Sequence, residues 1–194
     1  FIDSNALGNI NYIYSNRLSF GKVRTEEDVI WSFAPHDISM ILSISKDLPS
    51  SLRTEATNIL QKKIADTATI YMNFQSGMKA HISVSWINPY KEQKLVVFGK
   101  NGILVFNDAN PWKEKLALFN HSIEFSSNKP LLTQSNKEFI EVKESEPLRN
   151  ECSHFIDVVN NNEDPVTDGD EGLKVIKVLS SATESYITNK SVKL

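Results

Sequence analysis

An α+β fold is predicted: one open, largely antiparallel or mixed sheet with its helices gathered on one face. Two observations carry this. A succession of short β-branched and aromatic segments, punctuated by turn residues, fills residues 53–119, and two stripes of helical period close the 194-residue chain. Both stripes need a surface to bury against, and a sheet supplies it.

Taken in order, residues 9–20 alternate apolar and polar (Ile10, Tyr12, Tyr14, then Leu18 and Phe20) and read as a half-buried strand after Gly8. Thr25, followed by Glu26, Glu27 and Asp28, reads as a helix start because carboxylates offset the positive end of the helix dipole. Pro35 then predicts a break near residues 33–35, with a second helix through Ile38, Ile41 and Leu42 to about Ser45. Strands are expected at 59–64, 67–74, 78–86, 94–98, 103–106 and 115–119. Ser76-Gly77 supplies one tight hairpin, and Lys100-Asn101-Gly102 is expected to form a type I′ turn. Residues 123–136 are polar and carry no clear period; 139–142 read as a further short strand. A helix over about 148–160 places Cys152, Phe155, Ile156 and Val159 on one stripe. A last helix, capped by Asp168 or Asp170, aligns Val175, Leu179, Ala182 and Tyr186.

Composition excludes several classes of function. With 24 acidic and 21 basic residues, net charge −3 and no basic cluster, neither nucleic acid nor an anionic membrane is an expected partner. No apolar run approaches the ~18 residues that span a bilayer. The single Cys152 has no partner for an internal disulfide and fits a reducing, cytoplasmic setting. Seven glycines are too scattered to form a phosphate cradle, and no nucleophile elbow, H-E-x-x-H motif or cysteine cluster occurs. Residues 1–194 are expected to form one domain, and an opening at Phe1 that reads like mid-chain suggests a fragment.

Chemistry concentrates in one stretch, from Gly21-Lys-Val-Arg24 through Trp31-Ser-Phe-Ala-Pro-His36-Asp37. A proline fixes the backbone beside a histidine at an expected helix opening, where imidazole can sit rigidly at a pocket edge and exchange protons near neutrality. The alternative is a polar residue in a first helical turn, with Asp37 complementing the dipole.

These residues, with LGNINYIYSNRLSFGKVR, IADTATIYMNF, VSWINPYKEQKLVVFGKNGILVFND and EPLRNECSHFIDVVNNNEDPVTDGDEGLKVIKVL, resemble the glucose–fructose oxidoreductase, inositol dehydrogenase and rhizopine-catabolism family (Gfo/Idh/MocA). Within it, the members oxidising nucleotide-linked amino sugars or uronates for surface polysaccharide synthesis are most similar. The resemblance implies the family's carboxy-terminal, glyceraldehyde-3-phosphate-dehydrogenase-like domain. NAD or NADP would be bound mainly by an amino-terminal Rossmann domain lying outside this chain, so the fragment alone would be inactive. It implies a sugar or sugar-nucleotide substrate, a homo-oligomer through the open sheet face, and His36 as the catalytic histidine, with a lysine of the other domain as proton acceptor. The family often carries an aspartate four residues before this histidine; Ser32 stands there instead and cannot stabilise an imidazolium by charge. A catalytically silent binding or assembly module is therefore the alternative. Asp37, Arg24 and Lys91 are candidate substrate contacts, the two cations for a carboxylate or phosphate. Trp86 and Asn88 are candidates where a strand runs into a loop, although Trp86 also suits a core. His81, His121 and His154 are expected to be structural.

Overall fold

The computed structural model describes residues 2–133 and 135–194. Its centre is a nine-stranded sheet in the order β10-β7-β6-β5-β1-β4-β3-β2-β11. Long β1 (Ile10–Phe20) lies in the middle, parallel to β4 (Lys79–Ser85) and antiparallel to β5 (Ile87–Gly99). All other pairings in the sheet are antiparallel. On one side lie β3 (Thr67–Asn73), β2 (Ser51–Thr57) and the terminal β11 (Val192–Lys193). On the other lie β6 (Ile103–Asn107), β7 (Leu116–Phe119) and β10 (Lys137–Phe139). This is the α+β arrangement the element order predicts.

The sheet has two unlike faces. Helices α1 (Val29–Ser45) and α3 (Gly169–Thr188) lie against one of them. There Ile13, Leu52, Ile70, Ile82 and Val84 from the strands meet Ile30, Ile38, Ile41 and Leu179 from the helices, all buried. The other face is open, and the expected strand phase is corrected by it. In β1 the residue buried under the helices is Ile13, while Tyr12 and Tyr14 lie on the open face beside His81 and Phe98. Side-chain period in a strand is two, so the conspicuous aromatic parity lies on the face opposite the helices.

Pro35 does not break the helix: α1 runs unbroken through it. Proline in a helix interior costs about 3 kcal/mol. Val29, Ile30, Phe33 and Ala34 before it, and Ile38 and Ile41 after it, are buried against the sheet, each large side chain stabilising by roughly 1.5–3 kcal/mol. Continuous burial wins. The helix begins later than the acidic run suggests, at Asp28, whose carboxylate accepts from Ile30 N–H (3.0 Å) and Trp31 N–H (3.1 Å).

Four further expectations are corrected. Residues 59–64 are a looped segment with one isolated bridge, Gln61 to Ile64, and the strand lies earlier, at β2. The turn after β5 is not type I′, because neither Asn101 nor Gly102 has a positive φ. Its shape follows the amino-terminal segment instead: Asn101 N–H donates to Leu7 O (2.9 Å) and Lys100 N–H to Asn9 O (3.0 Å). A Cβ on Gly99 would stand 2.3 Å from Leu7 O, so only glycine fits there. Residues 122–126 and 129–133 form a separate hairpin, β8 (Ser122–Ser126) and β9 (Lys129–Thr133), and the short strand expected at 139–142 lies at β10. Lastly, α2 (Pro147–Asn161) forms, but its stripe is not buried on the sheet; Phe155, Ile156 and Val159 are exposed. Among the described residues no helix is long and apolar enough to cross a membrane.

Candidate functional site

Strand β1 sends Ile13, Ser15 and Arg17 to the helix-covered face, so two polar residues follow an apolar one beneath α1. Asp37 comes down to meet them. Its carboxylate accepts from Ser15 Oγ–H (2.5 Å) and Arg17 Nε–H (2.6 Å), with Arg17 Nη2 at 3.5 Å. The side chains of Arg17 and Asp37 are only 19% and 2% exposed. A carboxylate this dry persists because a guanidinium and a hydroxyl donor satisfy it together.

His36 sits one residue earlier, turned about 100° around the helix, and is exposed. It lines a cleft of about 510 Å³ with Arg17, Ser39 and Met40; Gln93 and Leu95 of β5 and Phe106 of β6 contribute the facing wall. Asp108 lies at the same cleft, its charge met by Lys115 Nζ at 2.5 Å. A histidine, guanidinium N–H groups and apolar side chains therefore converge. Such a lining can exchange a proton with a hydroxyl, donate to its neighbours and pack against a ring face.

Of the six residues singled out from sequence, His36 and Asp37 meet here; the other four lie elsewhere. Asp37 faces the sheet, held by Arg17 and Ser15, and not the imidazole. Arg24 is exposed, 3.6 Å from Glu27, and its carbonyl accepts from Gln61 Nε2 (2.8 Å). Asn88 and Lys91 lie on β5, a strand where a loop was expected; Asn88 Nδ2 donates to Tyr90 O (2.6 Å), and Lys91 is exposed. Trp86 is fully buried. Its indole N–H donates to Asp66 Oδ1 (2.6 Å), and its ring meets Phe33 edge-on at 6.3 Å. Trp86 thus bears on the cleft only through α1, one turn ahead of His36.

Asp66 explains why the tryptophan is so placed. The carboxylate is buried and also accepts from Ile59 and Leu60 N–H, at 2.7 Å each. Burial pushes its pKa up, but the Leu60, Trp86 and Ile59 hydrogen bonds outweigh that and hold it below the usual aspartate value. The same carboxylate therefore orders the loop whose Gln61 reaches Arg24. Of the remaining histidines, His81 is hydrogen-bonded to Tyr12 Oη, His121 Nδ1 accepts from Ser135 N–H, and His154 Nε2 accepts from Val166 N–H.

Arg17 was not singled out from sequence. The available signal was its parity: Ile13, Ser15 and Arg17 share a strand face, and polar residues on a face that starts with isoleucine point to a buried polar network. Among the described residues no group of three or more His, Cys, Asp or Glu could hold a metal ion. Nor do these residues fit a dinucleotide. The glycines with positive φ, Gly8, Gly21 and Gly77, serve separate turns, and none opens a helix.

A family model described as the GFO/IDH/MocA C-terminal domain matches residues 1–105. The chain belongs to that family. No curated protein sequence matches it. Among solved structures, a UDP-N-acetylglucosamine 3-dehydrogenase from Acidithiobacillus ferrooxidans is similar with a TM-score of 0.80 at 18% identity, over 96% of this chain and 58% of that one. An aldose-aldose oxidoreductase from Caulobacter crescentus gives 0.77 at 13% identity, over 100% and 58%. An oxidoreductase from Agrobacterium radiobacter, in complex with NAD+, L-tartaric acid and magnesium, gives 0.71 at 19% identity, over 99% and 59%. At such identities the likeness is one of fold. The chain spans under two thirds of the length of these structures.

Proposed function

We propose that this chain is the substrate-binding and association domain of a nicotinamide-dependent oxidoreductase acting on a hydroxyl of a sugar or nucleotide-linked sugar. The observation that carries the reading is the convergence of His36 and Arg17 on one cleft with apolar walls. Oxidising an alcohol requires its hydroxyl proton to be taken as the carbon gives up hydride, so a proton-exchanging group must be fixed beside the substrate. His36 fills that role from α1. Arg17, steadied by Asp37, offers its outer N–H groups to substrate oxygens.

A nicotinamide, NAD or NADP, bound outside this chain would supply the hydride acceptor. The activities of two structures similar in fold, on a nucleotide-linked amino sugar and on aldoses, make carbohydrates the substrate class to try first. Surface polysaccharide synthesis in the cytoplasm is the setting we propose for it. The open sheet face, aromatic at its centre, is the surface we assign to association with further copies.

Ser32 favours a second reading, a silent binding or assembly module. With Asp37 turned toward the sheet, the described cleft offers the imidazole no charge partner from either position. Turnover of nicotinamide cofactor by the full-length protein, with a panel of nucleotide-linked sugars, separates the two. The enzyme reading expects turnover that His36→Ala lowers at least ~100-fold. An intact, cofactor-binding protein with no turnover on any member of the panel would favour the silent module.

A further inference from the structure

The cations at the His36 cleft are already matched by carboxylates. Arg17 gives Nε–H and, more loosely, Nη2 to Asp37, and Lys115 gives its ammonium to Asp108 Oδ1 at 2.5 Å. Lys94 also borders the cleft, but strand parity sends its side chain to the open face, where Glu92 lies 3.5 Å away. Arg24 and Lys91, the cations singled out from sequence for a carboxylate or phosphate, do not line it. Among the described residues, the cleft groups left without a hydrogen-bond partner are the Gln93 amide, the Ser39 hydroxyl, the His36 imidazole, Arg17 Nη1 and Asp108 Oδ2.

Asp108 is held firmly. It opens the turn that links β6 to β7, and its N–H donates to Gln93 O (2.9 Å). Asn107 N–H donates to Lys115 O (2.8 Å) and Asn110 Nδ2 to Glu114 O (3.2 Å), so the turn is bonded across itself as well as to β5. Lys115 Nζ lies over the Trp112 ring, 4.3 Å from its centroid, and only 15% of the lysine side chain is exposed, against 46% for Asp108. Ring and carboxylate together fix the ammonium, and the second carboxylate oxygen is left for a ligand.

We propose that Asp108 is a specificity-determining residue of the cleft: it accepts from the hydroxyls of an uncharged sugar ring and turns away a ring that carries a carboxylate of its own. This rests on the carbohydrate reading above and deepens it by naming the ring. Hydroxyls of a neutral ring donate to Asp108 Oδ2 and accept from Arg17 and the Gln93 amide, while its C–H face packs on Phe106 and Leu95. A uronate, equal in size, brings a charge to a cleft whose cations are committed. Drawing Arg17 to it would strand Asp37, whose side chain is 2% exposed, and drawing Lys115 to it would strand Asp108 beside the newcomer. Like charges in a partly dried cleft repel, so the uronate is rejected by charge and not by shape.

Calorimetric titration with two pairs of nucleotide-linked sugars tests this: UDP-glucose with UDP-glucuronate, and UDP-N-acetylglucosamine with its uronate. The members of a pair differ only at C6, so the contribution of the nucleotide cancels in their ratio. The full-length protein is saturated with reduced cofactor, which prevents turnover during the titration. The neutral member of the better-bound pair should bind at least ~100-fold more tightly than its uronate. Asp108→Asn keeps the shape, frees the Lys115 ammonium and should cut that preference at least ~10-fold; Lys115→Met keeps the packing on Trp112, leaves Asp108 uncompensated and should raise it by a similar factor. A merely structural part for the pair would weaken both sugars alike and leave the ratio unmoved. Circular dichroism checks the fold of each variant, and either variant alone is decisive. Equal binding, a preference for the uronate, or a ratio that the folded variants do not move overturns the assignment of Asp108, whereas turnover with oxidised cofactor, measured separately, decides the oxidoreductase reading. Binding of none of the four sugars overturns the assignment and the carbohydrate reading together.

Discussion

Arg17 and Asp37 meet where little water reaches, and the Coulomb energy they gain is set against the cost of drying both. Such a pair adds modest net stability while it is whole and causes a large loss when halved. Arg17→Met should destabilise the fold by about 3 kcal/mol, because Ser15 alone would remain to meet a buried carboxylate. Asp37→Leu should cost a comparable amount, through the stranded guanidinium. The double variant should recover at least half of the summed loss, and urea unfolding of the four proteins measures the cycle. Simple additivity would mean that the two side chains do not depend on each other. Only part of this was legible in the sequence. His36 and Asp37 stand out beside a proline, whereas Arg17, nineteen positions away, joins them only through the crossing of β1 and α1. Chain distance hides what strand parity could have revealed.

At the scale of elements, strongly periodic segments lie close to where the sequence put them, and the misplacements have physical causes. The last helix, α3, is capped by Asp168, which accepts from Glu171 N–H at 2.9 Å, and buries Leu179 and Ala182 as its stripe requires. Strand β2 is hard to see in the sequence because only Leu52 of its inward residues is strongly apolar, Thr54 and Ala56 being weak, whereas Ile59 and Leu60 in the next loop are conspicuous yet exposed. Their backbone N–H groups bind Asp66, and that bond, not burial, sets the loop. Local propensity was overruled most clearly in α1, where Pro35 leaves the Trp31 carbonyl without its helical partner. Pro35→Ala should restore that bond and stabilise the protein by about 1–3 kcal/mol, read as a higher melting temperature. An unchanged or lower melting temperature would show that the proline ring's own packing outweighs the lost bond.

For the molecule as a whole, the two helix-bearing regions of the chain differ in what supports them. Helices α1 and α3 share a core with the sheet and with each other, and Trp31 Nε1 even donates across to Thr183 Oγ1 at 2.9 Å. Helix α2 has no buried residue, though Leu148, Phe155, Ile156 and Val159 give it an apolar side as pronounced as theirs. A 15-residue helix that buries none of its residues is marginal in water, because nucleation and backbone entropy consume nearly all that its hydrogen bonds return. In this chain α2 should therefore open far more readily than the rest. Hydrogen exchange followed by mass spectrometry should show its amides exchanging at least ~100-fold faster than those of α1, while β1 and β4, at the sheet's centre, exchange most slowly. Protection of α2 equal to that of α1 would mean that its apolar side is covered in solution, and that opening of this region is coupled to unfolding of the sheet.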